Sequence, residues 1–345
     1  MDFALTDEQR MIADTANAFF AEGATSARTR AAMDAGGLDR ELWRAFCGEL
    51  GLGGIAVPEA RGGAGLGMVE FALVAMAAGE RVAAIPLLGH IMATRAMRDD
   101  ARAPLAACLA GDAIATAGEA DGEVIADDSS VTAIADFVPH GAVADHLLLL
   151  DGGRGWRIAL GGPGVTVEPR ATMDATRPYA RIALDRAPAH TIPPDAVRQA
   201  RAAGLLCLAA EATGGTQAAL DATVAYTLER QQFGRPIGSF QAIKHRLADR
   251  KVDLEQARSA IYWAACSLDE GTSDAGTAVH AAKAFCADAF TRMAADMLQL
   301  HGGIGFTWEH DTHLYFKRAR AIAAMMGSSA WHREQVAAAL LDRAA

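Results

Sequence analysis

Within TLERQQFGRPIGSFQAIKHRLADR (residues 227–250), four polar side chains, Arg230, Gln232, Arg235 and Gln241, crowd a single bend. A guanidinium offers a planar fork of donors, and side-chain amides add donors and acceptors, a set matched to a planar anion. The chemistry suggested is capture of a phosphate-bearing cofactor. Two helices and a hinge must position these groups. The first helix runs through Tyr226, Leu228 and Arg230, and Gly234 and Pro236 mark the turn. Phe240, Ile243, Leu247, Val252 and Leu254 then recur at helical spacing, an apolar stripe that packs in a core.

Taken with QLHGGIGFTWEHDTHLYFKRA (residues 299–319), about 70 residues further on, the stretch resembles the acyl-CoA dehydrogenase family of flavoproteins. The resemblance extends from MDFALTDEQ at the start to HREQV near the end. It implies an α + β fold with an N-terminal helical domain, a middle β-barrel or sandwich domain and a C-terminal four-helix bundle. In that family the Arg and Gln of the first motif and the Gln-x-x-Gly-Gly of the second reach across a subunit interface to the pyrophosphate and adenosine of a neighbour's FAD. Carried over residue by residue, this implicates Arg230, Phe233, Gln241, Gln299, Gly302 and Gly303 in cofactor binding.

The patterning divides the chain at matching places. Residues 1–110 read as helical, with Thr6 as an N-cap and Met11, Ile12, Ala16, Phe19 and Phe20 on one face. The Gly-rich loop at 59–67 follows a helix rather than a strand and lacks the Lys-Ser/Thr of a phosphate-cradling loop. Residues 111–194 change period, with short runs such as SVTAIADFV, DHLLLLD and ARIALD between Gly, Asp and Pro, the pattern of a small antiparallel barrel or sandwich. Pro193, Pro194 and a candidate N-cap at Asp195 return the chain to helix for residues 195–345.

Composition sets outer limits. At 345 residues, half of them apolar, the chain can bury a large core. A formal net charge of −10 without a basic block argues against nucleic acid or an anionic membrane as partner. The odd count of five cysteines has no CxxC spacing, and the start lacks a signal peptide, so reduced thiols and a cytoplasmic protein are expected.

The resemblance breaks at the chemistry. Family members that oxidise acyl-CoA take the α-proton with a carboxylate, usually the Glu of a Tyr-Glu-Gly-Thr segment. Here that segment reads AAMMGSSAWHR, and Met326, which cannot accept a proton, stands in the place of the Glu. The family's other location for the base, on the helix preceding the first motif, falls on Gly204 or Leu205; Glu211, two turns along, is the remaining candidate for a displaced base. The family's Thr-Glu-Pro-x-x-Gly-Ser-Asp element is at best AGEADGEV (117–124), and its Trp-Ile-Thr/Ser-Asn element falls on Phe137, Val138, Pro139 and His140.

Half of a composite site is thus expected. The chain resembles the small, base-lacking subunits of heterotetrameric (α2β2) bacterial enzymes that act on steroid side chains or on dicarboxylic acyl-CoAs such as pimeloyl-CoA. The resemblance implies FAD as cofactor, an acyl-CoA substrate, a partner subunit supplying the Glu, and an electron-transfer flavoprotein as acceptor. Two other readings stay open: a scaffold of the same fold that binds no flavin, and a homo-oligomeric enzyme with a displaced base. His301 is expected to pack rather than catalyse. His310 and His313 lack the spacing of a zinc helix, so no metal is expected. Asp311 is expected to start a helix whose Lys317 and Arg318 face solvent or a CoA phosphate. Arg246, Arg250 and Lys251 are expected to form a salt-bridged helix surface.

Overall fold

The computed structural model describes residues 4–342, so the first three residues of the MDFALTDEQ segment lie outside the described residues. Helices α1 (Asp7–Gly23), α2 (Ser26–Asp34), α3 (Arg40–Arg44), α4 (Met68–Glu80), α5 (Leu87–Met97) and α6 (Leu105–Leu109) come first. Strands β1 (Ala115–Glu119), β2 (Ile125–Ala126), β3 (Ser130–Pro139), β4 (His146–Asp151), β5 (Arg154–Ala159), β6 (Val165–Arg170) and β7 (Tyr179–Ile192) follow. Then come α7 (Pro194–Glu229), a hairpin of β8 (Gln231–Gln232) and β9 (Arg235–Pro236), α8 (Gln241–Glu270), α9 (Ala275–His301), α10 (Thr312–Ala324) and α11 (Ser329–Asp342). This is the expected fold class: helical start, middle sheet, helical end. Packing groups Ala27–Phe71 with Ala84–Cys207 in one unit, and Met1–Ser26 and Ala72–Ala83 with Leu208–Ala345 in another.

The sheet unit is organised by β7, whose 14 residues pair antiparallel with β3, β5 and β6. Alternation of buried and open residues along β3 and the first half of β7 sends Val131, Ala133, Ala135, Ile182 and Leu184 to one core face, where Leu147, Leu149 and Trp156 meet them. The sheet is not wholly antiparallel: β1 runs parallel to β4, with Ala115 opposite His146. A strand buried on both faces suits that pairing, and the LLLL core of β4 is buried throughout. Thr116 Oγ1 of β1 donates to the Pro139 carbonyl of β3 at 2.5 Å, and just past β1 the Asp121 N–H bonds to the Ile134 carbonyl of β3 at 2.7 Å, which curls the sheet towards closure.

In the helical unit, Thr6 caps α1 as expected. Its hydroxyl accepts from Gln9 N–H at 3.2 Å while Gln9 Oε1 accepts from Thr6 N–H at 3.1 Å, a reciprocal cap worth about 1 kcal/mol. Asp195 is not an N-cap: α7 begins one residue earlier, at Pro194, whose missing N–H costs nothing in a first turn. Asp195 instead accepts from Arg198 and Gln199. Ala219, Leu220, Leu254, Met293 and Met297 share a core with Leu247 and Tyr315, which makes α7, α8, α9 and α10 a four-helix packing; α11 adds a fifth helix against α9. Where α4 crosses α7 the backbones touch. A Cβ on Gly214 would stand 1.9 Å from the Met76 carbonyl oxygen, and one on Gly79 would stand 2.2 Å from that of Glu211.

Candidate functional site

The C-terminal ends of α7 and α9 carry the two motifs, and one aromatic contact joins them. Tyr226 stacks on His301 with ring centroids 4.3 Å apart and planes 22° apart, and its hydroxyl donates to the His301 carbonyl at 3.3 Å. Beyond Tyr226 the chain leaves the helix at Arg230, whose N–H still bonds to the Tyr226 carbonyl at 2.9 Å. The hairpin then places Phe233 at its tip, 92% exposed and in the left-handed region at φ 53°. Arg235 turns back to stack its guanidinium 4.1 Å over the Phe240 ring. Arg230 makes no ion pair among the described residues and stands exposed. Gln241 is exposed and opens α8, whose N-terminal turn has no side-chain cap.

The second motif is built alike. Gln299 is exposed, and Gly302 (φ 58°, ψ −136°) turns the chain through a conformation that only glycine adopts without strain. Added Cβ atoms on Gly302 or Gly303 would meet nothing within 4 Å, so both backbones are open to close approach from outside. His301 packs, as expected: it is 3% exposed, donates from Nδ1 to the Met297 carbonyl at 2.8 Å, and burial holds its ring below its ordinary pKa. His310 serves the next turn, meeting Thr312 Oγ1 at 2.5 Å from Nδ1, and among the described residues no three His, Cys, Asp or Glu side chains converge as a metal site. Six candidate residues, Arg230, Phe233, Gln241, Gln299, Gly302 and Gly303, are thus all solvent-facing, on helix ends joined by one stack. Their donor set, a guanidinium, two side-chain amides and open glycine backbone, fits a pyrophosphate.

Elsewhere the positions that would carry chemistry are otherwise employed. Met326 occupies the turn between α10 and α11 at φ 54°. Lys283, buried on α9, donates to the carbonyls of Gly327 (2.9 Å) and Ala323 (3.4 Å), and burial lowers its pKa to about 8. Beside it His280 and His332 meet Nδ1 to Nδ1 at 2.7 Å; burial pushes His332 down to about 4, with Lys283 and His280 adding to the effect. Glu211 is 3% exposed and lies 4.0 Å from Nη1 of Arg318, itself 2% exposed. Arg318 therefore does not face solvent or a CoA phosphate: its charge answers a buried carboxylate. Lys317 sits 4.1 Å over the Trp308 ring. Arg250 and Lys251 make the expected pairs along α8, with Asp253 and Glu255, whereas Arg246 reaches across to Asp296 on α9. Sequence reasoning missed Tyr226 as a link and Lys283 as a clamp. The signals were an aromatic one turn before Arg230 and a lone lysine in an Ala-rich helix.

In the sheet unit, Glu119 is bonded by Arg201, and Phe137 is 65% exposed at a bulge in β3 while His140 is 2% exposed. A cavity of about 630 Å³ beside these segments is lined by Asp121, Glu123 and Asp185 and, among the described residues, by no cationic side chain. That sign of charge disfavours a phosphate-bearing ligand there.

The chain matches the family described as acyl-CoA dehydrogenase, C-terminal domain, over residues 197–341, and the one described as acyl-CoA dehydrogenase, N-terminal domain, over residues 6–99. It is 35% identical over 325 residues to the acyl-CoA dehydrogenase IpdE2 of Mycolicibacterium smegmatis, covering 94% of this chain and 96% of that one. Among solved structures it is similar to a variant of the Tcur3481–Tcur3483 steroid ACAD, with TM-score 0.91 and 27% identity over 98% of this chain and 99% of that one. It is also similar to the ChsE4–ChsE5 complex from Mycobacterium tuberculosis, with TM-score 0.88 and 27% identity over 99% of each chain.

Proposed function

Because the chain belongs to the acyl-CoA dehydrogenase family of oxidoreductases, we propose that it is the base-lacking subunit of a heteromeric, α2β2 enzyme. In this reading it lends Arg230, Phe233, Gln241, Gln299, Gly302 and Gly303 to an FAD held chiefly by a partner chain. The observation that carries the reading is the exposed guanidinium of Arg230, without an ion pair among the described residues, on a ridge shared with Gln241 and the 299–303 turn.

FAD, when bound, supplies the acceptor for hydride in α,β-dehydrogenation of an acyl-CoA thioester. Arg230 would offer its planar fork to the pyrophosphate, Gln241 and Gln299 would add side-chain amide donors and acceptors, and Gly302 and Gly303 would let backbone approach. No residue of the 325–328 turn can take the α-proton, and Glu211 is committed to Arg318, so the partner supplies the base. The acidic cavity of the sheet unit supports a partner-held flavin face as well. The ChsE4–ChsE5 complex among the relatives supports a heteromeric partner, and the steroid ACAD supports a steroid-derived acyl-CoA as substrate class. An electron-transfer flavoprotein is the acceptor this chemistry calls for. All five cysteines are free thiols, and among the described residues no helix is long and apolar enough to cross a membrane; both support cytoplasmic work.

Arg230→Ala tests the reading in the purified assembly. A charge-assisted bond to pyrophosphate contributes about 1.5 to 3 kcal/mol, so FAD affinity is expected to fall roughly 10- to 150-fold with the fold intact. Arg230→Lys should recover part of it, keeping charge without the fork. The chain purified alone is expected to hold little FAD. Unchanged FAD affinity in Arg230→Ala would leave the chain a scaffold.

A further inference from the structure

We infer that Tyr226 is a positioning residue of the cofactor-facing ridge: it locks the end of α9 to the end of α7, so that Arg230 and the 299–303 turn present their donors at one fixed spacing. The inference rests on the proposed cofactor reading and adds the residue that assembles the site.

Tyr226 acts in two directions. On its own helix it lies one turn before Arg230, and its carbonyl holds the Arg230 N–H at 2.9 Å where α7 gives way to the hairpin. Movement of Tyr226 is therefore passed to the backbone from which the guanidinium departs. Towards α9 it presents both ring and hydroxyl. The ring lies 4.3 Å from that of His301, nearly parallel, and the hydroxyl donates to the His301 carbonyl. That carbonyl belongs to the last residue of α9, which is also the residue that opens the short 3-10 turn Gly302–Phe306, so the bond ties Tyr226 to the start of the glycine turn.

His301 is itself held from behind. Its Nδ1 must carry the proton, because the Met297 carbonyl it meets at 2.8 Å can only accept, and His310 closes against the ring at 4.6 Å. The next residue is Gly302, whose conformation directs the turn. Two motifs far apart in sequence thus meet through one side chain, whose ring and hydroxyl both face the partner motif. Tyr226 does not touch the proposed cofactor; it sets the distance between groups that do. Donors aimed at two ends of one dinucleotide bind it together only when that distance is fixed in advance, which is the logic of preorganisation.

The test is FAD titration of the purified assembly carrying Tyr226→Leu, Tyr226→Phe, His301→Ala or the Tyr226→Leu/His301→Ala pair, with Arg230→Ala alongside. Tyr226→Leu, which loses stack and hydroxyl, is expected to weaken FAD about tenfold with thermal unfolding little changed. Tyr226→Phe keeps the stack and should fall within roughly threefold of the parent. The double variant should be no worse than the poorer single one, since both remove the same link. If Arg230→Ala loses FAD while Tyr226→Leu retains it, the positioning role is overturned and the cofactor reading stands. If neither variant changes FAD affinity, the cofactor reading fails and takes this inference with it. Additive losses from Tyr226→Leu and His301→Ala would also overturn it, as each residue would then act alone.

Discussion

The two ends of α9 treat polar groups in opposite ways. At its C-terminal end Gln299, Gly302 and Gly303 stay exposed, beside an Arg230 with no ion pair among the described residues. Near its start, Lys283 and His280 are turned inwards, onto the carbonyls of Gly327 and Ala323 and onto His332. Exposed polar side chains are ordinary at a protein surface, and it is the cofactor reading proposed above that gives the outer end a ligand to meet. The inner end is shaped for the fold alone, although it underlies the turn where the family keeps its base. The contrast separates groups left at the surface from groups consumed by packing.

The sharpest challenge to that contrast is Glu211→Ala. If Glu211 belongs to the interior set, its loss removes the carboxylate 4.0 Å from the buried Arg318 guanidinium, and denaturant unfolding should show a fall of at most about 3 to 5 kcal/mol. A variant that keeps its stability but loses dehydrogenase activity in the assembly would instead make Glu211 the displaced base.

Acid is the next probe. His332 is fully buried and its pKa lies at about 4 against 6.5 in the unfolded chain, so it stabilises the fold while neutral. Its contribution is complete above pH 6.5 and is lost as the pH falls through 4, a loss on the order of 3 kcal/mol. Unfolding midpoints measured across that window should fall with pH, and His332→Asn should make the fall shallower. His90, buried in the sheet unit and also lowered to about 4, should keep some of the slope in that variant. An unchanged slope in His332→Asn would remove the His280–His332 contact from the interior set.

Met326→Gly has the smallest expected effect. A methionine at φ 54° is strained, and glycine relieves that strain while adding freedom to the unfolded chain. The net change expected is a gain of about 0.5 kcal/mol in thermal unfolding. A loss beyond about 1 kcal/mol would show that the Met326 side chain holds the turn, not the clamp beneath it.

What could be read from the sequence was local. The Thr6–Gln9 cap lies within four residues, and the run of leucines in β4 announces a buried strand on its own. The two motifs that carry the family resemblance were legible because each is contiguous. Hidden features joined distant residues. Nothing in ATAGE marks it as the parallel partner of β4, which lies across the intervening β2 and β3. Arg318, inside a KRAR run, looked solvated because its partner Glu211 lies 107 positions earlier, the difference of the two numbers. Tyr226 and His301 are separated by 75 residues, and periodicity does not say which two helix ends will meet.

The α4–α7 crossing has a consequence for how this sequence can drift. With a Cβ at position 214 or 79 falling 1.9 or 2.2 Å from a carbonyl oxygen, a single alanine at either site forces the helices apart. Glu211 stands at that crossing, so its separation from Arg318 changes with the spacing. Positions 79, 211, 214 and 318 are therefore expected to vary together or not at all among related sequences. The exposed ridge carries no such backbone clash; what ties its two motifs together is the Tyr226–His301 stack.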